Sequence, residues 1–267
     1  MTTTQIAPDR VLPETGAAAT QSVHSLPARI AGFTYGLVVY LAFLGVFAGL
    51  GVWLSGQLPA FGIDHGGSAP LGVALAVNLG FVLLWSVQHL VMARKGFKQR
   101  ITRLIPAGVE RSTFMLAAVS ILAGMMLLWQ PLPEVIWSVE APAAWWTLVG
   151  LQVAGWLGVV YTTFLIDHFE LFGLKQVWAF LRGSEVREPS FKMPWLYRKV
   201  RHPMMTCMLF LFWATPTMTL GHMVLAAAMT KFILIALVFE ERDLIARHGF
   251  AYRSYRERTP KLLPKLF

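Results

Sequence analysis

Long apolar runs separated by short polar stretches organise this chain, and the lengths of the runs decide the fold class. A helix needs about 20 mostly apolar residues to cross about 30 Å of hydrocarbon. Ile30 to Leu54 carries no charge, and Leu71 to Met92 is equally charge-free while holding Asn78, Gln88 and His89. Ser112 to Gln130 and Trp145 to Ile166 follow. From Met204 to Phe239 runs a longer apolar stretch with one charge, Lys231, broken near Ala214 to Gly221 by Pro216, several threonines and a glycine. Proline and clustered turn residues interrupt helices, so this stretch reads as a helical hairpin over 203–240 with a short first arm. The expected fold class is all-α: a polytopic membrane bundle of about five to six transmembrane helices, the last two a hairpin, with a cytoplasmic C-terminal helix. Residues 1–29 read as a flexible polar tail, 30–267 as one integral-membrane domain, and 241–267 as its cytoplasmic end.

Composition agrees with a lipid solvent: 56% of the 267 residues are hydrophobic and only 14% charged, which no soluble class of this size matches. Disorder, a collagen-like repeat and a disulfide scaffold are excluded. Cys207 is the single cysteine, so neither an intrachain disulfide nor a zinc cluster is expected. No short signal-peptide core opens the sequence, and the Ile30 run is too long and too aromatic to be one.

Charge then orients the spans. Arg94, Lys95, Lys98, Arg100, Arg103 and Arg111 lie between the second and third, and Lys175, Arg182, Arg187, Lys192, Arg198, Lys199 and Arg201 follow the fourth. The tail beyond Glu240 adds seven more basic residues, whereas Ser55 to Pro70, Pro131 to Ala144 and the hairpin tip contain none. The positive-inside rule therefore puts both termini and both basic loops in the cytoplasm. A formal charge of +9 is accounted for by anionic lipid headgroups. No nucleic-acid partner is expected.

Polar side chains inside spans are costly and need a reason. Gln88 and His89 sit near the cytoplasmic end of the second span, one turn beyond Trp85, where a neutral imidazole either faces a cavity and handles a proton or simply bonds a neighbouring helix. Asp167 and His168 end the fourth span. An acid is unfavourable at a helix C-terminus, so Asp167 calls for a partner or ligand. Arg201 and His202 precede Pro203, a residue suited to a first helical turn, and the free amides there favour an anion. At the other end of the hairpin come Glu240 and Glu241, with Glu240 and Asp243 expected on one face and Glu241 and Arg242 elsewhere. Both hairpin ends are expected at one level, enclosing one pocket that a terminal helix bearing Tyr252 and Tyr255 covers. Lys231 lies deeper, either snorkelling or functional. The H-E-x-x-H, G-x-S-x-G and G-x-G-x-x-G layouts are absent, so no metal site and no Rossmann cofactor domain are expected.

Arg201-His202-Pro203 opening a hairpin that closes on Glu240-Glu241, followed by Gly249, Tyr252 and Tyr255, resembles the isoprenylcysteine carboxyl methyltransferase superfamily. More closely, the chain is similar to the bacterial methanethiol S-methyltransferases. That likeness rests on Val87-Gln88-His89 to Ala93-Arg94, Val109-Glu110-Arg111-Ser112-Thr113, Asp167-His168-Phe169-Glu170-Leu171-Phe172-Gly173-Leu174, Phe212-Trp213-Ala214-Thr215-Pro216-Thr217 and Glu240-Glu241-Arg242-Asp243-Leu244. Met205 and Cys207 stand where the wider superfamily usually has Tyr and Gly, which argues against a prenylcysteine substrate.

The resemblance implies S-adenosyl-L-methionine as methyl donor, with Arg201, His202, Pro203, Glu240 and Glu241 around it. It also implies a small thiol acceptor, methanethiol, converted to dimethyl sulfide at the cytoplasmic side of a bacterial inner membrane. Gln88 and His89 are then candidate substrate-binding residues and Asp167 and His168 candidate catalytic ones. A thiolate is the nucleophile, so either one of these groups takes the thiol proton or a nearby cation lowers the thiol pKa. Three rival readings stay open: another thiol or lipid acceptor, a sterol-reductase-like oxidoreductase, and a transporter. Labelled S-adenosylmethionine against NADPH separates the second, and flux without a cofactor separates the third. Oligomeric state is not legible.

Overall fold

The computed structural model describes residues 24–58, 60–67, 69–184 and 193–264. Residues 1–23 of the expected tail lie outside them, as do Arg187, Lys192 and Lys265. Among the described residues, five helices are long and apolar enough to cross a membrane. α1 spans Leu26–Ser55, begins with Pro27 in its first turn and stops at Gly56, whose φ of 65° is left-handed. It thus starts four residues before Ile30, where Arg29 donates to the Phe180 carbonyl at 3.0 Å. α2 is Leu71–Met92 and a short α3 is Lys95–Ile101. A 3-10 turn at Ala107–Val109 leads into α4, Glu110–Leu128. After strand β1, Val135–Ser138, come α5, Pro142–Ile166, and two short helices, α6 His168–Leu171 and α7 Leu174–Arg182. The hairpin follows as α8, Pro203–Trp213, strand β2, Thr217–Thr219, and α9, Leu220–His248, before α10, Phe250–Arg258.

The helices are apolar around most of their circumference, so large side chains remain outside: Leu83, Leu84 and Val87 on α2, and Leu234, Ile235 and Val238 on α9, are all exposed. A helix greasy on every face belongs in lipid. Two clusters fill the interior. The larger runs from Trp53 and Trp129 to Leu211, Leu225 and Leu237, and the smaller gathers Val39, Phe114, Met115 and Val119.

Polar contacts segregate to the two ends. At one end, the three segments lacking Lys and Arg meet. Thr219 donates to Asp64 at 2.8 Å, and Asn78 and the Gln130 backbone bond each other twice at 2.8 Å. There β1 also pairs antiparallel with β2, Val135 opposite Thr219 and Ser138 opposite Thr217. At the other end lie the ion pairs Arg94 to Asp243 at 2.9 Å and Arg201 to Glu241 at 2.8 Å. The alternation of basic and uncharged segments along the sequence is therefore an alternation of molecular faces.

The hairpin's first arm is short because α8 has only 11 residues, about 16 Å of rise. Its path continues as extended chain from Ala214 to Thr219, most of it buried. Non-helical backbone at membrane depth is tolerated only where protein surrounds it, and this segment is bonded throughout. His222 Nε2 donates to the Phe212 carbonyl at 2.9 Å, Trp137 Nε1 to the Thr215 carbonyl at 3.3 Å, and the Val139 amide to the Pro216 carbonyl at 3.0 Å. α8 is held hard against α5, where a Cβ built on Gly155 comes within 2.7 Å of the Leu211 amide nitrogen and one on Gly158 within 2.6 Å of Cys207 Sγ.

Candidate functional site

The base of the hairpin gathers the first group of functional candidates. Pro203 opens α8 directly after His202, and the last turns of α9 return Glu240 and Glu241 beside it. Glu241 is buried and accepts from Arg201 Nε at 2.9 Å and Nη2 at 2.8 Å, with His202 Nε2 at 3.2 Å. Arg201 Nη1 donates to the Arg256 carbonyl at 2.8 Å and to the Thr259 carbonyl. Its donors are thus committed to the chain itself, and the arginine clamps the C-terminal segment instead of standing open to an anion. Glu240 is different: its carboxylate lies 3.7 Å from His202 Nδ1, is about half exposed, and accepts no hydrogen bond among the described residues. It is the free acceptor at this rim. Asp243, one turn on from Glu240, pairs with Arg94, while Glu241 turns inward to Arg201.

The tail closes over this group. Backbone amides of Arg201 and His202 donate to the Pro260 and Lys261 carbonyls at 2.9 and 3.1 Å, and Thr206 Oγ1 donates to the Leu262 carbonyl at 2.6 Å. Tyr252 and Tyr255 on α10 are buried beneath it. Burial pushes the Tyr255 hydroxyl up to about 12 and raises those of Tyr252 and Tyr197 as well, so all three stay protonated donors at neutral pH.

A second group lies two turns deeper, where α2, α4 and α9 meet. His89 stacks on Trp85 with ring centroids 3.7 Å apart and meets Phe114 at 5.1 Å and Phe232 at 6.1 Å. Gln88 Nε2 donates to the Phe114 carbonyl at 3.2 Å. Arg111, in the first turn of α4, donates to the Leu171 carbonyl at 2.7 Å and lies 4.8 Å above the Phe114 ring. The rings span both hydrophobic clusters, Trp85 and Phe232 bordering the larger and Phe114 the smaller.

Asp167 and His168 form a third group, at the corner from α5 into α6. Asp167 is the N-cap of α6, accepting from the Glu170 amide at 3.2 Å, and pairs with Lys175. The partner it called for is supplied within the chain. His168 is buried between Tyr40, whose hydroxyl is 2.8 Å from Nε2, and Thr163, whose hydroxyl is 2.7 Å from Nδ1, and it stacks on Phe164 at 4.1 Å. Burial holds its pKa below the usual imidazole value despite the Asp167 charge, so the ring is neutral at neutral pH.

The structure thus brings Arg201, His202, Pro203, Glu240 and Glu241 together, puts Gln88 and His89 on a separate seam below them, and keeps Asp167 and His168 in their own corner. Lys231 joins none of them: it is exposed on the outer surface of α9, as snorkelling requires. Tyr40, Trp85, Arg111 and the Thr259-to-Leu262 segment were not singled out from the sequence as site residues. Trp85 had a signal, its i, i+4 spacing to His89. Tyr40 had none, lying 128 residues from His168.

No family model and no solved structure matches the chain. Curated relatives do. It is 43% identical over 240 residues to methanethiol S-methyltransferase 2 of Bradyrhizobium diazoefficiens, covering 90% of this chain and 92% of that one. To the methanethiol S-methyltransferase of Mycobacterium tuberculosis it is 45% identical over 230 residues, 86% of this chain and 94% of the other. A more distant likeness, 26% over 232 residues, is to Nurim of Xenopus laevis, covering 83% and 81%.

Proposed function

The chain belongs to the methanethiol S-methyltransferase family, and from that premise we propose that this integral membrane protein methylates methanethiol to dimethyl sulfide, using S-adenosylmethionine bound at the cytoplasmic face of a bacterial inner membrane. One observation carries the reading beyond family membership. α9 bears Glu240 and Glu241 at the basic face and Phe232, eight residues earlier, against Trp85 and His89. Eight helical residues span about 12 Å, so one helix connects a charged, hydroxyl-binding rim to an apolar aromatic seam, as a polar methyl donor and a small greasy acceptor require.

The residues fit the donor. Glu240 accepts no hydrogen bond among the described residues and so can receive sugar hydroxyls, while Arg201 fixes Glu241, which in turn holds His202. Bound there, S-adenosylmethionine supplies an electrophilic methyl on a sulfonium whose departing thioether is neutral and needs no acid. The chain's own task is on the acceptor side, since an alkyl thiol is largely protonated at neutral pH and its thiolate is the nucleophile. Gln88 and His89 stand on the seam for that purpose, and apolar rings exclude the water that would solvate and blunt a thiolate. Asp167 and His168 brace the corner where α1, α5 and α7 meet, which keeps the seam's walls in register.

The experiment is direct. Purified protein is incubated with S-adenosylmethionine labelled in its methyl group and with methanethiol, hydrogen sulfide, longer thiols and methaneselenol, and the headspace is assayed. Labelled dimethyl sulfide from methanethiol, dependent on the donor and unaffected by NADPH, is the expected result. Absence of both product and labelled-donor binding overturns the assignment.

A further inference from the structure

Trp85, Gln88 and His89 occupy positions i, i+3 and i+4 of α2 and so share one face. Each carries an unused polar atom. Trp85 Nε1 and Gln88 Oε1 are buried without a hydrogen-bond partner, and Gln88 is 8% exposed. His89 Nδ1 lies 3.2 Å from the Trp85 carbonyl, which only accepts, so Nδ1 carries the proton of the neutral ring. Nε2 is therefore a bare lone pair, with no partner among the described residues. An unsatisfied buried polar group is costly, and several on one face mark a place where a ligand completes the bonding. Against the same Phe114 ring lies Arg111, whose Nε is bonded to Leu171 and whose two terminal nitrogens have no partner among the described residues.

His168 offers a contrast. Thr163 gives its only proton to the Val160 carbonyl at 2.6 Å, so it must accept from His168 Nδ1–H at 2.7 Å. His168 Nε2 then accepts from the Tyr40 hydroxyl at 2.8 Å. Its lone pair is already engaged, and His89's is not.

Resting on the methyl-transfer reading above, we infer that His89 Nε2 takes the proton of the acceptor thiol and that the Arg111 guanidinium holds the resulting thiolate, in a cage walled by Trp85, Phe114 and Phe232. The S–H bond breaks, its electron pair stays on sulfur and its proton goes to Nε2. That sulfur forms the new C–S bond as the methyl–sulfonium bond breaks, the latter's pair returning to the donor sulfur and leaving it a neutral thioether. The imidazolium then releases its proton to water. Trp85 Nε1–H and the guanidinium are the donors an anionic sulfur accepts. The charges around Arg111 are Glu110 on its own helix and Glu170 on α6. Lys175 on α7 is turned to Asp167, Arg94 at the end of α2 to Asp243, and Lys231 on α9 outward. From α1 the facing titratable group is Tyr35, which donates to Thr113.

The test compares pH–rate profiles for methanethiol methylation in the full-length protein and its variants, alongside binding of labelled S-adenosylmethionine. His89→Gln is expected to lower turnover at neutral pH by about 100-fold or more while donor binding stays within about threefold. Its rate should climb about tenfold per pH unit as solution supplies the thiolate. Arg111→Gln should move the rising limb to higher pH, and Arg111→Lys should keep most of the parent profile. Added imidazole should restore turnover to His89→Ala, which a merely structural histidine would not permit. A His89→Gln profile superimposable on the parent's, or an equal loss at every pH with no rescue by imidazole, overturns the proposal while leaving the methyltransferase reading intact. A parent protein that makes no dimethyl sulfide defeats both.

Discussion

Glu241 is the single side chain on which most of the hairpin base depends. It is 9% exposed at the side chain and ties Arg201, His202 and Lys261 to α9. Removing one partner of a buried ion pair leaves the other charge uncompensated, at a cost of about 3 kcal/mol. Glu241→Gln is accordingly expected to lower the unfolding midpoint in detergent markedly and to weaken donor binding, whereas Glu240→Gln should spare stability and weaken binding alone. At the opposite corner, His168 titrates with a definite sign. Burial lowers its pKa in the folded state, so below about 6.5 the unfolded chain binds the extra proton and the folded chain resists it. Its contribution to stability is present above that pH and is lost as the pH falls through the folded value; His168→Gln should flatten this part of a midpoint-versus-pH curve. At this scale the sequence was partly legible. Residues with intrinsic chemistry in apolar runs, His89 and Asp167 among them, announce themselves. Which of them has a free lone pair depends on partners such as Thr163 and Trp85, whose hydroxyl and carbonyl orientations no spacing encodes.

Among the elements, the hairpin departs most from a simple reading. The break at Pro216 was visible, but β2's pairing with β1 was not, because more than a quarter of the sequence separates Val135 from Thr219. Nor does an apolar run state that its carbonyls will be bonded by a distant side chain. His222 and Trp137 do this for Phe212 and Thr215. His222→Phe keeps ring volume and removes the donor, so it is expected to cost about 2 kcal/mol, measured as a loss of midpoint and faster proteolysis at the hairpin tip. The α5–α8 contact makes a sharper case. Gly155 sits where any Cβ would strike the backbone of Leu211 and Cys207, and close approach at small residues is how membrane helices pack. Gly155→Leu should separate the two helices and abolish donor binding, while substitution at Gly150, where the surroundings are open, should leave both fold and binding as they are.

For the whole molecule, alternation of charged and uncharged segments was enough to foresee which loops share a face, since lipid forbids most alternatives. Single cysteines test the sidedness. In a Cys207→Ser background, Gln57→Cys and Glu140→Cys should react with an impermeant thiol reagent added to intact cells, and Gln99→Cys only after permeabilisation. The closing of the tail over the hairpin base was less legible, because Arg201's partners in the tail are main-chain carbonyls and any residue types supply those. That closure has a consequence for biogenesis. The carbonyls of Thr259, Pro260 and Lys261 reach Arg201 and His202 only after translation has passed them. A nascent polypeptide whose spans are all inserted therefore still lacks its latch, and competence waits on a stretch of chain that crosses nothing.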